Sequence, residues 1–155
     1  MAPHLPGAAR LRTHRGGHAG RAARVLHWLA LLLLCAAYLQ GGLNKLLDFG
    51  GAVGEMQHFG LQPAAPLAAA VIAGELGAAA MVLSGRLRWL GAAWLALFTV
   101  AASCIANRYW ELAGAERFMA ANAFYEHLGL AGGFLLVAWH DLANKEKTWQ
   151  PAAPA

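Results

Sequence analysis

Four long apolar segments follow one another along the chain, separated by more polar connections. They cover residues 25–47, 65–83, 87–106 and 123–140. A helix needs about 20 residues to cross a hydrocarbon core of about 30 Å, and helices satisfy their own backbone groups in lipid. The first three segments meet that length, and the fourth is marginal unless its helix begins as early as Phe118. The pattern predicts an all-α fold, an integral membrane bundle of four transmembrane helices.

The regions outside these segments differ from them in composition. Residues 1–24 contain five arginines, no acidic residue and many Gly, Ala and Pro, which predicts a disordered basic tail. Residues 25–141 form the predicted membrane domain, and residues 142–155 a short C-terminal tail. Residues 48–64 are interpreted as a loop, and residues 107–122 are a candidate for a short helix lying in the interface. A cleaved signal peptide is the alternative for the N-terminal end, but the apolar run is longer than a normal signal-peptide core.

Lysine and arginine are divided unequally between the two ends of the predicted bundle. Nine lie in the N-terminal tail, in the turn between the second and third segments, or near the C-terminus. The other three are Lys45, Arg108 and Arg117. Because cytoplasmic loops carry the excess of Lys and Arg, both termini are predicted to be cytoplasmic. We therefore expect a multi-pass protein of the cytoplasmic (inner) membrane, with the lipid bilayer as its first partner.

Composition and charge narrow the class further. The 155 residues are 59% hydrophobic and 13% charged, against about 45–50% and about 25% in ordinary soluble domains. The net charge is +4, and the basic tail has no interleaved aromatic residues. Attraction to anionic lipid explains such a tail, so no nucleic-acid partner is expected. No phosphate loop, zinc-binding spacing or Ser-His-Asp order is present, so the catalytic residues stay unknown and no metal site is predicted.

Two charged residues lie where the surrounding sequence is apolar. Glu75 stands in the middle of the second segment, and a carboxylate at a helix centre costs about 2.5–3.5 kcal/mol on the insertion scale. It should therefore face the bundle and be paired or neutral, either as a structural group or as a functional one. Lys45 ends the first segment, and two interpretations of it stay open. Its ammonium pairs with carboxylates inside the bundle, or it extends outward to the lipid headgroups.

Further polar residues are expected on the same outer side of the bundle. Gln40, Asn44 and Asp48 repeat at i, i+4 and i+8 on the first segment, while Glu126 and His127 open the fourth. In this arrangement the lysine neutralises the neighbouring carboxylates, Asp48 among them. The candidate functional site is thus a polar intramembrane cluster outward of the midplane. Its predicted members are Lys45, Glu75, Glu126, His127, Gln40 and Asn44.

The histidines allow a haem hypothesis. His27 and His140 both lie near one predicted face, and His58 and His127 near the other, as bis-histidine ligation of haem b requires. However, His58 lies in a predicted loop, and the first pair stands beside tryptophans at span ends. Interfacial anchoring is therefore the preferred interpretation. No cofactor is predicted to be bound tightly, and a quinone is the candidate ligand.

Several short motifs occur along the chain in a defined order and spacing. They are Gly42 and Lys45 at the end of the first segment, Gly60, Leu61 and Pro63 before the second, Glu75 to Gly77 within it, the Gly85-Arg86 turn, and His127 early in the fourth. On these motifs the chain resembles the DoxX family of small bacterial and archaeal membrane proteins over about residues 25–141, which implies a four-helix membrane bundle. Members of the family resemble a subunit of an archaeal thiosulfate:quinone oxidoreductase, and others are associated with oxidative-stress and thiol-handling complexes. The resemblance supplies no agreed set of catalytic residues.

Two functions from different classes stay open. The first is an accessory or quinone-adjacent subunit of a membrane redox complex, with membrane or soluble redox proteins as partners. Any enzymatic activity would then belong to an oxidoreductase complex, because this chain has no CxxC pair or other obvious redox centre. The second is a non-catalytic membrane scaffold or small-molecule permeation protein that uses the same polar cluster. The inner halves of the segments hold almost no polar residues, which disfavours an ion pathway.

Overall fold

The protein is built from long helices. The computed structural model describes residues 10–149, and the side chains of residues 20–146. Within that range the chain is helical and has no strand. The elements are α1 (Arg10–Leu47), α2 (Phe49–His58), α3 (Ala64–Ser84), α4 (Arg88–Ala106), a 3₁₀ helix (Tyr109–Glu111) and α5 (Gly114–Trp149). The predicted all-α class is confirmed.

Three segments of the described chain are long and apolar enough to cross a membrane. They are Gly20–Leu47, Ala64–Ser84 and Arg88–Glu111. Large apolar side chains such as Leu33 and Leu97 point away from the bundle and are exposed, which suits lipid and not water. The fourth predicted segment lies wholly within α5, whose 36 residues are enough to cross a bilayer but include more charged groups. The chain is a helical membrane protein with α5 as the fourth long helix of its bundle.

Successive long helices pack against one another, α1 on α3, α3 on α4 and α4 on α5. The connections are short, so neighbouring helices run antiparallel. One core joins all four helices through the fully buried side chains of Cys35, Val82, Leu95 and Phe134. The short helix α2 packs on α3 through a second cluster, which contains Ala52, Met56, Ala64 and Ala68.

Glycines set the close approach of α3 to both of its long neighbours. A Cβ atom on Gly42 of α1 would lie 2.8 Å from the side chain of Leu76, and one on Gly91 of α4 would lie 2.6 Å from the carbonyl oxygen of Ala78. Small residues at such crossings let helices in lipid approach and gain van der Waals contact. Gly85 ends α3 in the left-handed conformation, with φ 78°, which glycine adopts without a steric penalty.

The structure corrects three expectations about the connecting regions. Residues 10–24, predicted to be disordered, continue α1 without a break, because arginine and alanine favour helix and no proline follows Pro6 until Pro63. Residues 1–9 lie outside the described residues. The candidate interfacial helix over residues 107–122 is not a separate element. Its first part contains one 3₁₀ turn, and residues 114–122 are the start of α5.

The predicted loop over residues 48–64 contains the helix α2. Asp48 begins it as an N-cap, since its carboxylate Oδ1 accepts a hydrogen bond from the Gly51 backbone N–H at 2.9 Å. Ala52 and Met56, four residues apart, then point into the apolar cluster against α3. This helix holds the segment after α1 against the bundle.

The glycine at the α3–α4 crossing can be tested by adding one methyl group. Gly91→Ala forces α4 away from the Ala78 carbonyl, and such overpacking typically costs about 1–3 kcal/mol. The matched control is Gly77→Ala on α3, because a Cβ there meets nothing within 4 Å. We expect a lower midpoint of thermal unfolding in detergent for Gly91→Ala and an unchanged or higher one for Gly77→Ala. Equal midpoints would contradict the close approach.

Candidate functional site within the bundle

A cluster of three charges lies where α1, α2 and α3 meet. The ammonium Nζ of Lys45 is 3.5 Å from Oε1 of Glu75 and 3.9 Å from Oε2 of Glu55. Both distances exceed the about 2.7–2.9 Å of a direct charge-assisted hydrogen bond. Lys45 therefore lies between two carboxylates without forming a short hydrogen bond to either of them.

Glu75 is the most enclosed member of this cluster. Its side chain is 8% exposed, against 20% for Lys45 and 45% for Glu55. Its second oxygen, Oε2, is buried and has no hydrogen-bond partner among the described residues. Buried polar atoms in folded proteins are nearly always paired, so an unpaired carboxylate oxygen requires an explanation. One explanation is a group that enters from the adjacent cavity.

That cavity has a volume of about 310 Å³ and lies between all four long helices and α2. Its wall is mainly apolar, with Phe59 and Leu61 on the α2 side and Phe98 and Ile105 from α4. The polar side chains that line it are Tyr38, Lys45, Glu55, Glu75, Thr99 and His127. An apolar wall with a few convergent polar groups is typical of a small-molecule site.

Tyr38 and Thr99 form a hydrogen-bonded chain on the cavity wall. The Thr99 hydroxyl donates to the backbone carbonyl of Leu95, one turn earlier in α4. Since that proton is used, the Tyr38 hydroxyl donates to Thr99 Oγ1. The Tyr38 ring is fixed by an edge-to-face contact with Phe134, with centroids 5.3 Å apart. The chain holds the Tyr38 oxygen at a defined place beside the cavity.

His127 approaches the same cavity from α5. Its Nδ1 lies 2.6 Å from the carbonyl oxygen of Ala123. A carbonyl only accepts, so Nδ1 carries a proton and donates it. In the neutral ring, Nε2 is then an acceptor. No described residue makes a hydrogen bond to Nε2.

The structure brings some of the predicted site residues together and separates others. Lys45, Glu75 and His127 all line the cavity. Gln40 and Asn44 are exposed on the outward face of α1. Glu126 is likewise exposed, on α5. The expectation that Asp48 and Glu126 surround Lys45 is corrected, because Asp48 caps α2 and Glu55 takes its place beside the lysine.

Three cavity residues were missed in the sequence. Glu55 was missed because α2 was interpreted as a loop, although an N-capping Asp48 followed by an apolar i, i+4 pair is a helix signal. Tyr38 lies seven residues before Lys45, which places both on one face of α1. Thr99 is a polar residue in the middle of an apolar segment. A buried hydroxyl there needs a hydrogen-bond partner, and this need could have identified it.

A second cavity, of about 440 Å³, lies at the opposite end of the bundle. His27 and His140 both line it, together with Arg88 and Asp141. The Asp141 carboxylate accepts the backbone N–H of Trp89 at 3.2 Å and so caps the start of α4. In the part of the chain that the structure describes, no group of three His, Cys, Asp or Glu side chains has the arrangement needed to hold a metal ion.

Fold and site together define a helical membrane protein with a buried ion pair beside an intramembrane cavity. The sequence profile of the DoxX family matches residues 28–108, more than half of the chain. The chain belongs to the DoxX family, as its motifs predicted. It is also similar to the inner membrane protein YphA of Escherichia coli (strain K12), with 28% identity over 121 residues, 77% of this chain and 85% of YphA. No solved structure matches the chain.

Removing either charge of the Lys45–Glu75 pair should lower stability, but by unequal amounts. Lys45→Met leaves two carboxylates without a cation, whereas Glu75→Gln leaves Lys45 with Glu55 at 3.9 Å. Breaking a buried pair costs about 3–5 kcal/mol in a dry interior, while polar contacts between membrane helices average about 0.6 kcal/mol. We expect losses of about 1–3 kcal/mol, larger for Lys45→Met, in thermal unfolding in detergent.

The double variant Lys45→Met/Glu75→Gln should lose less than the sum of the two single variants. The reason is that it removes the orphaned carboxylate as well as the lysine. A coupling energy of at least about 0.5 kcal/mol is expected. The control is the pair Lys45→Met and Glu116→Gln, since Glu116 is exposed near the start of α5. Strict additivity in both cycles would show that Lys45 and Glu75 do not interact.

Proposed function

We propose that the chain is an accessory, quinone-adjacent subunit of a membrane redox complex. In this proposal the head of a quinone-type molecule occupies the cavity beside Lys45, Glu75 and His127. The observation that carries it is the unpaired Oε2 of Glu75, a buried polar atom in the wall of a cavity otherwise lined mainly by apolar side chains. A ring-shaped ligand with polar edges matches that combination.

The size and depth of the cavity support this ligand class. Small-molecule sites occupy about 300–1,000 Å³, and about 310 Å³ falls at the lower end of that range. The aromatic rings of Phe59 and Phe98 offer contact to a flat ring. The cavity lies in the outer half of the bundle, where a lipid-soluble molecule can enter from the bilayer.

The proposal assigns electron transfer to a partner protein. Cys35 is buried and Cys104 is exposed, both as free thiols, so neither forms a disulfide. No redox centre of the chain's own enters the proposal, and the electrons pass between the quinone and a membrane or soluble redox partner. Some DoxX-type proteins are associated with such complexes, which supports an accessory role over a stand-alone enzyme.

The proposed location is the inner membrane with both termini cytoplasmic. YphA, the similar protein, is named as an inner membrane protein. Arg21, Arg24, Arg88 and Lys145 belong to the end of the bundle opposite Lys45, in agreement with the excess of positive charge on the cytoplasmic side.

Reporter fusions test this orientation. An alkaline phosphatase fusion at Gly114, the first residue of α5, should be active because that enzyme folds in the periplasm. The same fusion at the C-terminus should be inactive, whereas a fluorescent reporter there should be bright. An active phosphatase at the C-terminus would contradict the proposed orientation, and activity at both positions would contradict the crossing of α5.

A permeation function is disfavoured by the packing inward of the cavity. Leu95 and Phe134 are fully buried there, and the Tyr38 hydroxyl is already bonded to Thr99. A continuous polar path is needed for ions or polar solutes. The scaffold alternative draws its support from the Lys45–Glu75 pair, which joins α1 to α3 whether or not a ligand binds.

Filling the cavity tests whether it holds a quinone. Ala102→Phe places a ring in the cavity, and Val71→Phe does so from α3; both residues line it. The control is Ala80→Phe, which adds the same ring at an exposed position of α3. The measurement is total quinone, oxidised plus reduced, retained per protein after exchange of quinone-loaded nanodiscs against quinone-free ones.

Both cavity variants should retain at least about tenfold less quinone than the wild type, a change of about 1.4 kcal/mol in binding. The Ala80→Phe control should retain as much as the wild type. Thermal unfolding of each variant identifies any that fails to fold. Equal retention in the wild type, the control and a folded cavity variant would contradict the proposal and favour the scaffold alternative.

A further inference from the structure

We propose that the cavity selects the reduced, hydroxyl-bearing form of its ligand, a quinol, over the oxidised quinone. This inference rests on the proposed function and adds the redox state of the ligand to it. It follows from an imbalance between hydrogen-bond acceptors and donors around the cavity. A quinone offers only two carbonyl acceptors, whereas a quinol offers two hydroxyl donors at the same positions.

The first acceptor belongs to Glu75. The proposal takes Glu75 as the anionic partner of Lys45, which lies 3.5 Å away. A carboxylate in that state has no proton to donate and accepts through both oxygens. Oε1 faces the ammonium, while Oε2 is buried and lacks a partner within the described chain. A hydroxyl hydrogen of the ligand would satisfy that oxygen. A carbonyl oxygen of the ligand would instead repel it.

The second acceptor belongs to His127. Its Nδ1 proton is committed to the Ala123 carbonyl at 2.6 Å, one turn earlier in α5. The tautomer of the neutral ring is fixed by that bond, so Nε2 presents a lone pair. His127 and Glu75 come from different helices that face the same cavity, so they can receive hydrogens from two edges of one ligand.

The third acceptor is the oxygen of Tyr38. Its proton goes to Thr99, because the Thr99 proton goes to the Leu95 carbonyl. The hydroxyl protons of Tyr38 and Thr99 are therefore both used within the protein, and neither is left to donate to a ligand. A lone pair of the Tyr38 oxygen stays available.

Among the described side chains of the cavity wall, only one has hydrogens left to donate to a ligand. Lys45 carries three, but it lies between Glu75 and Glu55 at 3.5 and 3.9 Å, and both carboxylates compete for them. All other lining side chains apart from those already named are apolar. A bound quinone would therefore face these three acceptors and the carboxylate of Glu55, with at most one shared donor. A buried acceptor left unpaired weakens binding.

The test compares the two redox forms of one short-tailed benzoquinone with the wild-type protein in nanodiscs under anaerobic conditions. Dissociation constants for decylubiquinol and decylubiquinone are measured separately, and the midpoint potential of the bound couple provides an independent readout. We expect the quinol to bind at least tenfold more tightly. For a two-electron couple, this preference raises the midpoint potential of the bound couple by about 30 mV.

Glu75→Gln is the diagnostic variant, because an amide of the same shape places N–H donors where Oε2 stood. It should weaken quinol binding and strengthen quinone binding, so that the preference falls to parity or reverses. Tyr38→Phe removes an acceptor but keeps the ring, and should reduce the preference without weakening quinone binding. Glu116→Gln, an equal charge change at an exposed site on α5, should leave the ratio unchanged.

The outcomes separate this inference from the proposed function. If neither form binds the folded wild type, the proposed function itself fails. If both forms bind and the quinone binds as tightly as the quinol or more tightly, the proposed function stands and the selectivity is overturned. A preference for quinol that Glu75→Gln does not reduce would also overturn it, since the ratio would then arise outside these acceptors.

Discussion

The ion pair between Lys45 and Glu75 is the constraint on which the cavity-containing half of this bundle depends. A carboxylate in the middle of an apolar helix is costly in lipid, so α3 has to turn Glu75 toward a cation. The cation comes from the end of α1, at 3.5 Å, and Gly42 beside it lets α1 approach α3 closely. The rotation of both helices about their axes follows from this one contact.

The cavity is a consequence of the same arrangement. Where α1, α2 and α3 meet, charged groups take the place of an apolar core, while the other half of the bundle packs around Phe134 and Leu95. The Tyr38–Thr99 contact marks the boundary between the two halves. Packed apolar side chains thus fill the bundle on one side of this boundary, and the cavity lies on the other.

The long helices, and the two charged residues that interrupt their apolar sequence, were predictable. Long apolar runs specify the helices, and the high cost of an isolated charge at membrane depth identified Glu75 and Lys45. It was harder to predict which of two adjoining faces of α1 turns toward the bundle. Gln40 and Asn44 on one face are as polar as Lys45 on the other. The structure turns Lys45 inward beside Gly41 and Gly42, whose small size permits close packing. Glu55 was not predictable without α2, a short helix that Asp48 caps and that packing on α3 stabilises.

The most direct test of this account is the separation between Lys45 and Glu75 in a lipid bilayer. Solid-state NMR dipolar recoupling between ¹⁵Nζ-labelled lysine and ¹³Cδ-labelled glutamate measures it, and the spectrum of Lys45→Met identifies the Lys45 signal. The account predicts dephasing of that signal consistent with the 3.5 Å Nζ–Oε1 ion pair, and a clear reduction of this dephasing in Glu75→Gln, where only Glu55 at 3.9 Å remains. A Lys45 signal without dephasing in the wild type would contradict the account, because the ammonium would then lie among the lipid headgroups.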